Sequence, residues 1–217
     1  MEQSISGVGV LDKAVSVLDA LEREPLALAD LVRATGIPRA TAHRLAVALE
    51  DHGMVRRDAE GRFALGLRLV ALGRSAGEAF PLTVAARPVL ERLRDDTGES
   101  VQLYVAEGEG RRCVLSLQSP HALRWIVPEG ALLPIDKGSA GKLLRPRPVA
   151  APEGWVESVE EREPGVCSVS AAVHDGRGSV VAAVSVSGPV ERLTRTPGRR
   201  FGAATVAAAR AVARALA

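Results

Sequence analysis

Between Gly36 and Arg74 the chain carries seven arginines against four acids, a local excess of about three positive charges in a protein whose formal net charge is only +2. Arg39, Thr41, His43 and Arg44 fall within two helical turns, and Arg56, Arg57 and Arg62 follow shortly after. A guanidinium can hold guanine O6 and N7 with two hydrogen bonds, while Thr and His can reach a base edge or a phosphate. The chemistry such a set could perform is contact with double-stranded DNA; the plainer alternative is an ordinary solvated helix face. A second set consists of hydroxyls. Ser168 and Ser170, then Ser185 and Ser187, recur at a spacing of two within apolar runs, which puts each pair on one face of a strand. If that face is solvated the serines need no partner, but if it is covered they must be hydrogen-bonded, by the protein or by a small polar ligand.

The elements that must position the first set are short. Val10, Leu11, Ala14, Val17, Leu18 and Leu21 have helical spacing. Leu28 to Ala34 is a second helix, ended by Thr35-Gly36, where glycine suits a left-handed backbone. A third helix begins at Pro38 and runs to about Asp51, burying Ala42, Leu45 and Leu49 and leaving Arg39, Thr41, His43 and Arg44 on the other side. Met54 to Asp58 and Arg62 to Leu65 read as two short strands about Ala-Glu-Gly, with Gly61 free to take a positive φ. This order is that of a helix-turn-helix followed by an arginine-bearing wing. Leu67 to about Ala79 is a connecting helix.

From Leu82 the pattern changes to one helix, Leu82 to Asp96, then strand-like runs at Ser100–Ala106, Cys113–Leu117, Leu123–Val127, Val166–Val173 and Ser179–Ser187, then an Ala-rich helix over about Arg200 to Leu216. Helix, antiparallel strands, helix implies an α+β domain with helices packed on one sheet face. The stretch Arg145 to Pro152 has three prolines in eight residues and fits neither a regular helix nor a central strand.

Composition excludes several classes. Hydrophobic residues make up 47% and charged residues 25%, the balance of a globular protein. Aromatics are only 3%, too few to stack single-stranded bases. Two cysteines, Cys113 and Cys167, cannot form a disulfide framework, and both lie in apolar strands where buried thiols outnumber nucleophiles. His43 and His52 have no neighbouring cysteine and do not suggest a metal pair. There is no GxSxG elbow, and GSAGK is not a P-loop. The N-terminus MEQSISGVGV lacks a signal pattern, and no apolar run approaches the roughly 20 residues of a membrane helix. A cytoplasmic, non-enzymatic protein with no cofactor, no metal and no membrane partner is expected.

GVLDKAVSVLDAL followed by LADLVRATGIPRATAHRLAVALEDHGMVRRDAEGRFALGLRL resembles the winged helix-turn-helix of the IclR family of bacterial transcription regulators. The resemblance continues through TGESVQLYVAEG, VPEGALLPIDKGSAGK, EREPGVCSVSAAV and VVAAVSVSGPVERL, almost the whole chain. It implies a DNA-binding domain over 1–66, a linker helix over 67–80 and a GAF-like effector or oligomerisation domain over 81–217, assembled as a homodimer or homotetramer on operator DNA. Arg39, Thr41, His43 and Arg44 match the positions that contact operator DNA, with Arg57 and Arg62 on the wing. PRATAHRLAVALE with REPGVCSVSA is most similar to actinobacterial members linked to leucine biosynthesis.

The same resemblance places effector-binding positions at Ser139 and Ala140 in a first pocket loop, then at Ser158, Ser168, Ser185 and Ser187. Turn amides around Gly138–Gly141 would receive a carboxylate, so the implied effector is a small organic acid or amino acid. The chain departs from the family at Leu143 to Glu153, a short proline-rich stretch where members carry a long, mainly helical insert; the expectation is a shallow or open pocket. Two readings follow: a regulator modulated by an effector, and a DNA-binding regulator whose C-terminal domain only oligomerises.

Overall fold

The structure, a computed structural model, describes residues 6–216; residues 1–5 of the stretch read above for a signal lie outside them. The chain divides into two compact units, Met1–Ala76 and Gly77–Ala217, taken here one at a time.

In the first unit α1 (Gly9–Ala20), α2 (Leu28–Thr35) and α3 (Arg39–Asp51) close over a core of Val17, Leu21, Leu31, Ile37, Ala42, Ala46, Leu49 and Phe63. The turn between α2 and α3 depends on Gly36, whose φ of +69° is readily available only to a residue without Cβ. Ile37 follows and is buried, so the turn is pinned from inside. Pro38 is the cap rather than the first helical residue: its φ is helical but its ψ of 138° is extended, and its carbonyl accepts from the amides of Thr41 and Ala42. The hairpin is β1 (Val55–Arg57) against β2 (Phe63–Leu65), and Gly61 takes the expected positive φ. Leu26 adds a third short rung by exchanging backbone hydrogen bonds with Phe63. α4 (Leu67–Ala79) buries no side chain.

The second unit is built on one antiparallel sheet of six strands: β3 (Ser100–Glu107), β4 (Gly110–Leu117), β5 (Leu132–Pro134), β6 (Val156–Val159), β7 (Val166–His174) and β8 (Val180–Pro189), in spatial order β5-β4-β3-β8-β7-β6. On one face lie α5 (Pro81–Thr97) and α8 (Pro197–Leu216), over a core that includes Leu90, Leu103, Leu115, Val169, Val184, Val186 and Phe201. On the other face α6 (Gly138–Leu144) packs over Tyr104, Cys113, Val127, Val156 and Ala183. Both faces are therefore covered, where alternation in the sequence indicated helices on one.

Two expectations need correction, and two strands were not foreseen. Leu123–Val127 is not a strand: the free edge of β4 is taken by β5 instead, and Trp125 and Val127 are spent on packing into the α6-side core. Gly138–Leu144 is a helix, not a loop. Strands β5 and β6 are too short to register as periodicity. The proline-rich stretch behaves as expected in forming neither helix nor strand. It does not leave the α6 side bare, because the Val149 amide donates to the Lys142 carbonyl and Val149 and Ala151 pack against that core.

The end of β8 runs into α7 (Val190–Leu193), and the junction is locked by a bidentate ion pair. Arg192 Nε and Nη2 donate to Glu99 Oε1 and Oε2 at 2.6 and 2.7 Å, and Nη1 donates to the Leu123 carbonyl. The Glu99 side chain is only 4% exposed, and a Cβ at Gly188 would lie 2.5 Å from its Oε2. Gly188 and Arg192 in SVSGPVERL are thus there to admit and neutralise one buried carboxylate. Removing the cation leaves that charge unpaired, so Arg192→Ala is expected to cost about 3–5 kcal/mol in urea denaturation; a loss below about 1 kcal/mol would show the pair to be incidental.

Candidate DNA-binding face and effector pocket

On α3 the buried positions Ala42, Ala46 and Leu49 define the inner face. Arg39, His43 and Arg44 are exposed and Thr41 is half-buried. Among the described residues Arg39 and Arg44 donate no hydrogen bond and form no ion pair within the unit. Their guanidiniums are consequently available to an outside acceptor. His43 is partly committed, its ring meeting Phe63 edge-on at 6.5 Å.

The wing differs from the even cationic grip that its composition suggests. Arg57 lies over the Phe63 ring at 4.2 Å, reaches Glu50 at 3.4 Å and donates to the Gly61 carbonyl. Arg62 donates to Asp58 at 2.7 Å and to Glu60 at 3.2 Å. Both charges are locally offset. Arg56, exposed on β1, has no such partner among the described residues. The structure thus brings Arg39, Arg44 and Arg56 forward as free cations and draws Arg57 and Arg62 back into the fold of the wing.

In the second unit every sequence-predicted effector residue meets at one cavity. Ser139, Ala140, Ser158, Ser168, Ser185 and Ser187 line it, together with Tyr104, Arg111, Trp125 and Arg162, which sequence reasoning did not single out. Its volume is about 30 Å³, which limits an occupant to a few heavy atoms. Ser139, Ser158, Ser185 and Ser187 are each at most 5% exposed, while Arg162 is half-buried and Glu163 exposed, so the site has a buried floor and a rim that reaches solvent.

The hydroxyls are largely matched from within. Ser139 Oγ bridges Ser168 Oγ at 2.6 Å and Ser170 Oγ at 2.7 Å, and Ser187 Oγ donates to Gln102 Oε1 at 2.7 Å. Nor is the Gly138 amide open to a ligand carboxylate, as the turn-amide reading had it. It donates to Glu161 Oε2 at 3.2 Å, and Glu161 also pairs with Lys142.

Arg111 explains the glycines of GSAGK. Its Nη1 donates to the Pro134 and Lys137 carbonyls, tying β4 to the segment that leads into α6. A Cβ at Gly141 would fall 2.7 Å from Nη1 and 2.4 Å from the Ile135 carbonyl oxygen, and one at Gly138 would fall 3.1 Å from Nη2. The two glycines clear the space in which the guanidinium lies.

Neither thiol suits nucleophilic chemistry. Burial, reinforced by the charge of Glu129, pushes the Cys113 thiol up to about 12, and burial raises Cys167 as well. Among the described residues no His, Cys, Asp or Glu cluster is placed to hold a metal ion, and no helix is long and apolar enough to cross a membrane.

Because Ser170 is fully buried, truncating its partner leaves a hydroxyl without an acceptor or donor. Ser139→Ala is expected to lower stability by about 1–3 kcal/mol. An unchanged denaturation midpoint would mean that the Ser139 bridge carries no weight.

Comparison with known proteins bears on both units. Residues 10–59 match the IclR helix-turn-helix domain, and residues 149–214 match the C-terminal domain of bacterial transcriptional regulator IclR. The chain is 31% identical to the glycerol operon regulatory protein of Streptomyces griseus, over 84% of this chain and 85% of that one. It is 27% identical to the transcriptional repressor IclR of Escherichia coli, over 86% and 81%. The fold is shared with an IclR regulator from Alicyclobacillus acidocaldarius, TM-score 0.82 at 20% identity over 97% of this chain and 99% of that one. It is shared too with an IclR homologue from Microbacterium hydrocarbonoxydans solved with 4-hydroxybenzoate, TM-score 0.77 at 22% identity over 95% and 98%. A glycine-turned helix-turn-helix with free arginines on its outer face and these likenesses along most of the chain have one reading: the protein belongs to the IclR family of DNA-binding transcriptional regulators.

Proposed function

We propose that the protein is a cytoplasmic, sequence-specific regulator whose operator is read by Arg39, Thr41, His43 and Arg44 of α3, and whose DNA affinity is set by a small molecule in the cavity lined by Ser139, Ala140, Ser158, Ser168, Ser185 and Ser187. The observation that carries the first half is the pair of unpartnered guanidiniums, Arg39 and Arg44, on the exposed face of a helix held by the Gly36 turn. Residues 1–66 form the DNA-binding domain, 67–80 the linker helix and 81–217 the effector domain. Two copies, or two pairs, set recognition helices into successive major grooves; the exposed apolar side chains Leu67, Val70 and Leu72 of α4 support self-association.

The effector is a small organic acid or amino acid. The small volume and the hydroxyl-rich lining support that class, and the Microbacterium homologue, whose ligand is 4-hydroxybenzoate, is a relative that takes an organic acid. The narrower likeness of PRATAHRLAVALE and REPGVCSVSA to leucine-biosynthesis-linked regulators names one set of promoters to try. Ligand screening by thermal denaturation, with amino acids and 2-oxo acids at millimolar concentration, addresses the cavity directly; if no compound raises the melting temperature, the domain serves only to oligomerise.

For the DNA half, anisotropy on duplexes from the promoter of its own gene and from leucine-biosynthesis promoters, against scrambled duplex, reads specificity. Arg44→Ala is expected to cost roughly 1–3 kcal/mol of specific binding and to flatten base preference. Uniform weakening on every duplex would make Arg44 a phosphate contact. Arg56→Ala is expected to lower the salt slope by about one, and Arg62→Ala to change it less, since Asp58 and Glu60 already offset that charge.

A further inference from the structure

The cavity of the second unit holds an electrostatic imbalance that the serine reading does not explain. Arg111 is 3% exposed, yet among the described residues no carboxylate stands within ion-pair distance of it or of Arg162. Arg162 lines the same cavity with its guanidinium 4.8 Å from the Trp125 ring centre. Burial lowers the pKa of Arg111 and the charge of Arg162 acts in the same direction, opposed in part by Tyr104 and by the more distant carboxylate of Asp136. Arg111 is buried and Arg162 half-buried at the same cavity, and two like charges facing one partly desolvated space cost free energy unless a counter-charge joins them.

The hydrogen-bond inventory points the same way. Arg111 Nε is buried with no acceptor, and so is Gln102 Nε2. Gln102 stands behind the lining, opposite Ser185 in the β3–β8 ladder and accepting from Ser187, without itself lining the cavity. Both unmatched groups are N–H donors. The missing partner is therefore an acceptor. A ligand ammonium would need a carboxylate in turn, and the one carboxylate in the lining, Glu163, is exposed.

The geometry points to a compact dianion as the ligand of this cavity, one charge met by Arg111 and the other by Arg162. This rests on the effector-binding reading above and narrows it: monocarboxylates and zwitterionic amino acids are poor ligands, and Arg111 and Arg162 are the specificity-determining residues. A dicarboxylate and a phosphate share the required chemistry, and the probes separate them.

The test is titration calorimetry and thermal denaturation of the full chain with malonate, inorganic phosphate, acetate and alanine at matched ionic strength. Saturable binding of malonate or phosphate is expected, with acetate and alanine at least tenfold weaker; malonate alone would make the source a dicarboxylate, phosphate alone a phosphate-bearing one. Arg162→Gln should weaken the dianion by about tenfold or more while the unliganded melting temperature stays put, and Arg162→Lys should recover part of the loss. Arg111→Gln also removes the ties to Pro134 and Lys137, so its effect on unliganded stability is measured alongside. Acetate or alanine binding as tightly as the dianions, or dianion binding indifferent to Arg162→Gln, overturns the inference and leaves the effector reading standing. If these probes and the wider panel of acids and amino acids all fail to bind, the effector reading falls and this inference with it.

Discussion

A sheet covered on both faces must find a dry place for every side chain it carries, and the second unit is organised around that constraint. Its α5/α8 face answers with Leu, Val, Ala and the thiol of Cys167. The α6 face has to seat Ser170, Ser185, Ser187, Gln102 and Arg111, all at most 4% exposed. Serine is inexpensive to bury when another hydroxyl meets it, and Ser139 on α6 supplies one hydroxyl to two strand serines. Arginine is costly to bury. The two carbonyls that Arg111 collects, and the two glycines that make room for it, are the local compensation. They leave Nε without an acceptor and the guanidinium without an ion-pair partner among the described residues, which is why the cavity reads as a place for a ligand rather than a packing fault.

The first unit follows a different economy. Its core is small, and its conformation turns on one left-handed glycine, one buried isoleucine and one ring. Phe63 sits under Arg57 and beside His43 while its backbone pairs with Leu26. Recognition helix, wing and the chain leading into α2 are thereby referred to the same residue. Arg57 and Arg62, which hold this arrangement together, already have carboxylate partners, whereas Arg39, Arg44 and Arg56 have none among the described residues. The useful distinction among arginines lies in which already have a carboxylate, and composition alone cannot draw it.

What was legible in the sequence reflects the range of the interactions involved. The helix-turn-helix follows from local signals: 3.6-residue periodicity, Gly36, Pro38 and the Ala-Glu-Gly turn all act within a few residues, and the elements fall where they were expected. The hydroxyl ladders on β7 and β8 were legible for the same reason. Arg111 was not. The reading began that strand at Cys113, whereas β4 starts at Gly110. A β-bulge between the Tyr104–Cys113 and Leu103–Leu115 pairs then moves Cys113 to the α6 side while Leu115 and Leu117 face α5 and α8. Simple alternation would have put Arg111 on the wrong face. Trp125 misled in the opposite sense, its apolar neighbours suggesting a strand where the ring instead packs against the α6-side core and receives Arg162. The contacts of Arg111 with Pro134 and Lys137 are long-range pairings that no local pattern encodes.

The central claim is that occupancy of the second unit's cavity changes what the first unit does on DNA, and one experiment tests it most directly. Anisotropy of an operator duplex is recorded with the full chain at about 150 mM salt, with and without a saturating ligand of the cavity, alongside a scrambled duplex. The account predicts roughly 10³-fold or greater preference for the operator and a ligand-dependent change in operator affinity of about 5- to 150-fold. Operator affinity that stays the same while the cavity fills would contradict it, and would reduce the second unit to a platform for assembly.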